Sequence, residues 1–222
     1  MLHKTRGIVF RFTKYGETSI IVNIFTEVFG LQGYIVNGVR AKSTKSKIAL
    51  YQPLTLVDMV VYYREQANIN RIKEIKCLHP YQTLYQDVRK SAVSMFINEI
   101  MNKTVKEESH AQELCDFLVE SLIALDNLSM GVENFHIIFL LKLSRLLGFG
   151  AYNVNEVVGG RPADIETESM VEHLIDSDYN AIIPMTNLLR RKVLELLLLF
   201  YSDHVDNLGE VRSVQVLRDV LG

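Results

Sequence analysis

The chain has no tryptophan, two cysteines and four prolines in 222 residues, and each shortage narrows what it can be. Two thiols cannot build a disulfide framework, so Cys77 and Cys115 are expected to be reduced core residues of a cytoplasmic protein. No long hydrophobic run is present. The longest near the C-terminus, VLELLLLFY, is broken by Glu195, well short of the roughly 18 to 20 uncharged residues a membrane span needs. The first residues, MLHKTRGIVFRF, show neither the apolar core nor the cleavage site of a secretory signal. Reactive signatures are missing as well: there is no GxSxG, no Cys/His pair in a supporting context and no carboxylate cluster with metal spacing. The histidines, His3, His79, His110, His136, His173 and His204, show no HExxH or HxxxH spacing, and neither cysteine has a CxxC partner. A structural zinc site needs four such ligands. No catalytic residue, metal, cofactor or small-molecule substrate is therefore expected, and His136, on an apolar helix, reads as a satisfied core histidine.

Acid is missing locally too. No Asp or Glu occurs from Val28 to Val57, a window that contains NGVRAKSTKSK, residues 37–47, with Arg40, Lys42, Lys45 and Lys47. The net charge of −2 conceals this. Residues 1–80 carry 12 Lys+Arg against 5 Asp+Glu, a balance of +7, and residues 81–222 carry 12 against 21, a balance of −9. A ligand responds to the local excess, so a basic and an acidic half are joined in one chain.

The hydrophobic pattern changes at the same place. Before residue 80 the apolar residues fall in five short runs, GIVFRF, TSIIVNIFTEV, GYIVNGV, LTLVDMVVYY and INRIKEIKC, rich in β-branched and aromatic residues. Five short strands in about 80 residues fit a small barrel, most simply a five-stranded OB-fold. After Pro80 the period becomes helical. TLYQDVRKSAVSMFINEIMNK puts Leu84, Val88, Ala92, Met95, Phe96, Glu99 and Ile100 on one face. SHAQELCDFLVESLIALDN opens on a capping-box spacing, Ser109 to Gln112, with Leu114, Phe117, Leu118, Leu122 and Leu125 along one side. VENFHIIFLLKLSRLLGFG is apolar nearly all round, a central buried helix stopped by Gly148 and Gly150. TNLLRRKVLELLLLFYSDHV starts at Thr186, and SVQVLRDVL closes the chain as a short helix. Residues 151–185, with the turn VVGGRPAD, are a looser segment. The expected fold is α+β: an OB-fold barrel over 1–80 followed by an all-α helical domain over 81–222.

Several of these stretches carry a resemblance. GIVFRFTKYGETSIIVNIFTEVFGLQGYIVNGVRAKSTK, YQPLTLV, FINEIM and FLLKLSRLLGFG resemble the RecO family of DNA-repair proteins, and GEVRSVQVLRDVL resembles the C-terminal signature of its Bacteroidetes-type members. The most specific positions are Gly7, Tyr15, Gly16, Glu17, Phe25, Thr26, Gly30, Gly38, Arg40, Gln52, Pro53, Asn98, Glu99, Leu147 and Gly148. The resemblance implies a cytoplasmic, nucleoid-associated protein of the RecF recombination pathway. Such a protein binds single- and double-stranded DNA, anneals complementary strands without ATP, binds the single-strand-binding protein SSB, and with RecR helps load RecA. Many members hold zinc through two CxxC pairs in the segment before the last helices. Residues 151–185 contain no cysteine, so that feature is not expected here. Glu99, the polar residue of an apolar face, is expected to be satisfied by backbone or arginine, at the domain junction by the same resemblance.

The charge pattern supplies candidate sites. Arg6, Arg11, Lys14, Arg40, Lys42, Lys45, Lys47 and Arg71 are the candidate phosphate contacts, since lysine and arginine bind a polynucleotide by displacing counterions without reading sequence. A solvated loop kept polar for solubility is the plain alternative for residues 40–47. Tyr34, with Tyr51, Phe10 and Phe12, could stack unpaired bases, although strand aromatics commonly face the core. On the acidic half, Lys142, Arg145, Arg190, Arg191 and Lys192 are cations beside apolar helix faces. They are the candidate receptor for the SSB C-terminal tail, whose acidic residues end in an apolar residue and a free carboxylate. The alternative function is a protein-only adaptor whose barrel docks an acidic partner such as RecR. Steep salt dependence of DNA affinity separates the two.

Overall fold

A computed structural model describes residues 1–40, 48–65, 67–106 and 110–222. Its residues group into two compact units, Met1–Tyr81 with Val105–Ile123, and Gln82–Thr104 with Ala124–Gly222. The change of pattern at residue 80 therefore coincides with one edge of the first unit, while a helical segment from beyond it groups with the strands.

In the first unit, β1 (Leu2–Tyr15), β2 (Ser19–Thr26), β3 (Gly30–Val36), β4 (Leu56–Tyr62) and β5 (Asn70–Cys77) close into a barrel in the order β1-β2-β3-β5-β4. All pairings are antiparallel except the short parallel one between β3 and β5. This is the five-stranded barrel expected of an OB-fold. The alternation of each strand fills the interior with Val9, Ile20, Val22, Ile24, Val57, Met59 and Val61. Gly7 is required where β1 crosses β2: a Cβ there would lie 2.7 Å from Ile24 Cγ2 and 2.8 Å from the Phe25 carbonyl oxygen. Beyond Val9 the β1–β2 register shifts, and Arg11 pairs with Asn23. A 3₁₀ turn, Ile48–Tyr51, leads into β4. The helix α2 (Ala111–Asn127) contributes most of its length to this unit. Leu114, Leu118 and Leu122 are buried as its period predicts, while Phe117 is half-buried. Ser109 of the expected capping box lies outside the described residues.

The second unit contains α1 (Val88–Thr104), α3 (Val132–Leu146), α4 (Val154–Val158), α5 (Ile165–Ile175), α6 (Asn187–His204) and α7 (Ser213–Leu221). The central helix is α3, with 11 of its 15 residues buried, and it stops as expected. Leu147 is its C-cap, and Gly148, at φ 84°, donates its N–H to the Arg145 carbonyl, a conformation that costs glycine least. Thr186 caps α6 by accepting the Leu189 N–H. Ahead of α1, the Asp126 carboxylate accepts the N–H groups of Gln82, Thr83 and Leu84. The buried Lys90 Nζ bridges the Asp126 carbonyl and Thr83 Oγ1, each at 2.6 Å.

Three expectations are corrected. The buried face of α1 runs through Val93, Phe96, Ile97, Ile100 and Met101, whereas Val88 and Met95 are exposed. Residues 151–185 hold two helices, α4 and α5, capped by Asn153 and Asp164. Cys77 is exposed; only Cys115 of the pair is a core thiol, and burial, with Glu27 adding to it, pushes that thiol up to about 12.

Candidate nucleic-acid interface

The barrel sorts its cations into bound and available ones. Arg6 is bound. Its Nε donates to Glu27 Oε2 at 2.8 Å and its Nη2 to Asp116 Oδ1 at 2.7 Å, tying β1 to the N-terminal part of α2, and these carboxylates, Glu27 first, raise the guanidinium above its ordinary range. A guanidinium compensated by two carboxylates has little attraction left for phosphate, which weighs against Arg6 as a DNA contact. Arg40 is partly engaged, bracing the β1–β2 turn through the Gly16 and Ser19 carbonyls at 3.2 and 3.4 Å.

Arg11, Lys14 and Arg71 are exposed on the strands, and among the described residues none has an ion-pair partner. Their strand partners are uncharged: Arg11 pairs with Asn23, Lys14 with the buried Ile20, and Arg71 with Ile35 and Tyr62. By contrast Lys4 and Lys76 share Asp58, at 3.9 and 3.1 Å, and Lys73 lies 3.6 Å from Glu74. Lys42, Lys45 and Lys47 lie outside the described residues.

Tyr34 is not on this surface. It is fully buried in the barrel interior, where burial pushes its phenol up. Phe10 and Tyr51 are buried too, and Phe12 packs against the core. The expectation of stacking by Tyr34 fails because the alternation of β3 turns residue 34 inward. Tyr62, an exposed residue, was not singled out from sequence; its signal was the β4 alternation that buries Met59 and Val61 and turns Tyr62 outward.

The five cations of the helical half are dispersed rather than clustered. Lys142 pairs with Asp178 at 3.1 Å and lies 5.6 Å from the centre of the Tyr179 ring. Arg145 donates to the Ala151 and Ile175 carbonyls and reaches Asp176. Arg190 is buried, held by Asn134 Oδ1, Asn187 Oδ1 and the Met185 carbonyl. Lys192 pairs with Asp164 at 2.6 Å, an interaction that holds the Asp164 carboxyl down at about 2. Arg191 is exposed and, among the described residues, has no ion-pair partner. It lies with Arg218, Leu194, Leu217 and Leu221 around a small cleft where α6 and α7 face each other. Arg218 donates to Glu195 at 2.6 Å, yet among the described residues its buried Nε has no partner. His136, also beside this cleft, is buried as expected but not satisfied: among the described residues its Nδ1 has no partner, and burial, reinforced by Arg190, holds the imidazole down at about 3.

Glu99 is a structural acid. Its carboxylate accepts the Arg212 and Ser213 N–H groups at 3.0 and 2.8 Å and the Ser213 hydroxyl at 2.7 Å. Burial alone would raise this carboxyl, and those hydrogen bonds outweigh it and hold it low. Among the described residues no group of three His, Cys, Asp or Glu side chains could hold a metal ion, and no helix is long and apolar enough to cross a membrane.

Comparison with known proteins accounts for both parts of the chain. Residues 1–81 match the family model for the recombination protein O N terminus, and residues 85–212 match that for its C terminus. The DNA repair protein RecO of Phocaeicola vulgatus is 30% identical over 239 aligned residues, covering 99% of each chain. That of Flavobacterium psychrophilum is 33% identical over 236, covering 98% of each. That of Bacteroides fragilis is 38% identical over 148, a match spanning 67% of this chain and 61% of that protein. A basic barrel joined to a helical domain, matched over nearly its whole length by the first two of these relatives, leads to one assignment: the chain belongs to the recombination protein O (RecO) family of DNA-repair proteins.

Proposed function

We propose that the protein is a non-enzymatic recombination mediator that binds single- and double-stranded DNA through its barrel, anneals complementary strands, binds the SSB tail through its helical unit, and with RecR helps load RecA. The observation that carries the reading is the set of exposed cations Arg11, Lys14 and Arg71 on the barrel, uncompensated among the described residues, while Arg6, Lys4, Lys73 and Lys76 are compensated. Available cations on a small barrel neutralise phosphates and release counterions without discriminating base sequence. Annealing follows physically: two strands repel each other through their phosphates, and a cationic surface that holds both without reading bases lowers that repulsion. No bond is made or broken, so neither a nucleophile nor ATP is required.

For the SSB tail, the α6–α7 cleft supports the reading best, since Arg191 and Arg218 stand beside three leucines there, the pairing of cation and apolar surface that an acidic tail ending in an apolar residue calls for. Charge reversal of Arg191 and Arg218 in the full chain is expected to weaken binding of a peptide copying an SSB tail at least tenfold; undiminished binding removes the cleft from the assignment. The decisive experiment for the function is annealing of SSB-coated complementary oligonucleotides. Acceleration over the SSB-coated control supports mediation. A chain that neither anneals bare strands nor shifts coated ones leaves the barrel as a protein-docking module.

A further inference from the structure

We propose that the β4–β5 end of the barrel holds a stacking subsite for single-stranded nucleic acid, in which the Tyr62 ring takes an unpaired base and the Arg64 and Arg71 guanidiniums take the flanking phosphates. This rests on the DNA-binding reading and adds to it a residue that touches a base. Stacking requires an aromatic face open to solvent beside available cations. Most barrel aromatics fail the first condition. Phe10, Phe25, Tyr34 and Tyr51 are buried, and Phe29 and Tyr63 are already stacked on each other at 3.8 Å, with His3 edge-on to both. Tyr62 meets it: the residue is 48% exposed and, among the described residues, its ring has no ring partner.

The strand register supplies the second condition. Ile35 pairs with Arg71, Arg71 with Tyr62, and Tyr62 with Leu2, so one row across β3, β5, β4 and β1 makes Arg71 and Tyr62 direct strand partners with apolar residues on both sides. Cross-strand partners have Cβ atoms about 4.5–5.5 Å apart, so the two side chains can meet adjacent parts of one strand. The row borders a cleft of about 680 Å³ whose lining includes Tyr62, Arg64, Ile69, Asn70 and Arg71. Buried Asn70 accepts the Arg64 N–H at 3.0 Å and donates to Gln32 at 3.4 Å, which fixes where the Arg64 side chain departs. Charge favours a polyanion. Of the acids in the hairpin, Asp58 is taken by Lys4 and Lys76 and Glu74 by Lys73. Glu65 alone is left to oppose Arg64 and Arg71, neither of which has an ion-pair partner among the described residues.

The absence of tryptophan gives a direct test in the full-length chain. Tyr62→Trp introduces a sole indole, whose emission is expected to be quenched on titration with oligo(dT) at near wild-type affinity. Tyr62→Ala is expected to weaken oligo(dT) binding about tenfold, leaving duplex affinity and the salt dependence unchanged. Arg64→Ala and Arg71→Ala are each expected to flatten the single-strand salt slope by about 0.7. Tyr15→Ala, removing an equally exposed ring elsewhere on β1, is the control and is expected to change nothing. Melting curves matching wild type establish that each variant is folded. Oligo(dT) binding with an unquenched indole, or unchanged affinity in Tyr62→Ala, overturns the subsite while leaving the DNA reading intact. Quenching by polyglutamate at concentrations equal to oligo(dT) overturns it in favour of an acidic protein partner. A wild-type chain that binds no oligonucleotide overturns the DNA reading itself, and the subsite with it.

Discussion

Single residues divide by what already compensates them, and sequence reads that poorly. Arg6 and Arg11 look alike in the string GIVFRF and its preceding residues, yet Arg6 meets a carboxylate 110 residues away while Arg11 faces solvent. The partner is a tertiary fact with no local signature. Arg6→Ala is therefore expected to cost about 1–3 kcal/mol of stability, the range for losing hydrogen bonds between charged groups, toward the low end because the pair is partly exposed; chemical denaturation measures it, and the salt slope of DNA binding should not move. The cysteines offer a second test. Exposed Cys77 is expected to react with a thiol reagent in the native protein, and Cys115, buried with its thiol pushed up to about 12, only on unfolding. His136 sets a pH dependence. Its folded pKa, near 3, lies below the unfolded value of about 6.5, so the unfolded chain takes up the proton first. The neutral imidazole's contribution is fully present above about pH 6.5 and is lost progressively as pH falls toward 3. Melting curves across that window should show a shallower acid decline for His136→Leu than for wild type.

At the scale of elements, periodicity and capping carried most of the information. All five strands, the stop of α3 at Gly148, the start of α6 at Thr186 and the closing helix α7 were legible, because each rests on local chemistry: alternation, a left-handed glycine, a hydroxyl accepting an N–H. The errors have physical causes. In α1 polar residues are spread around the helix, and buried Lys90 and Ser94 share its inner face with Val93 and Ile97, so a face chosen by apolar spacing alone caught Ala92, Phe96 and Ile100 but also took in the exposed Val88 and Met95. The helices α4 and α5 were missed because they are short and sit among Gly, Pro and Asp, although Asn153 and Asp164 are orthodox caps in hindsight. Glu99 shows an element held by one side chain. Glu99→Ala removes acceptors for three donors at the start of α7, and stability is expected to fall by about 1–2 kcal/mol. Hydrogen exchange should accelerate at residues 212–221 before the rest of the second unit, and Glu99→Gln, which keeps one acceptor oxygen, should recover part of the loss.

For the whole molecule, the balance of +7 over residues 1–80 against −9 over 81–222 is expected to make the proposed affinity for DNA a function of ionic strength. Replacing Arg40, Lys42, Lys45 and Lys47 with alanine is expected to weaken binding about equally for every base sequence and to flatten the single-strand salt slope by roughly 2 to 3, at about 0.7 for each phosphate no longer neutralised. A folded variant with the wild-type slope would shift the interface to Arg11, Lys14 and Arg71. The bipartite charge was visible in sequence; the interleaving of the two units was not, because the pairing of β1 with residue 116 leaves no trace in composition. That interleaving bears on how the chain is made. The strands end at Cys77, but Val105–Ile123, which groups with them, leaves the ribosome later. At about 5–20 residues per second this is a delay of roughly 2 to 9 seconds. Throughout it the nascent barrel has Glu27 to compensate Arg6 but not Asp116, and lacks Leu114, Leu118 and Leu122. A fragment ending at residue 81 is arrested permanently at that stage, and is expected to be digested by protease faster than one ending at residue 127.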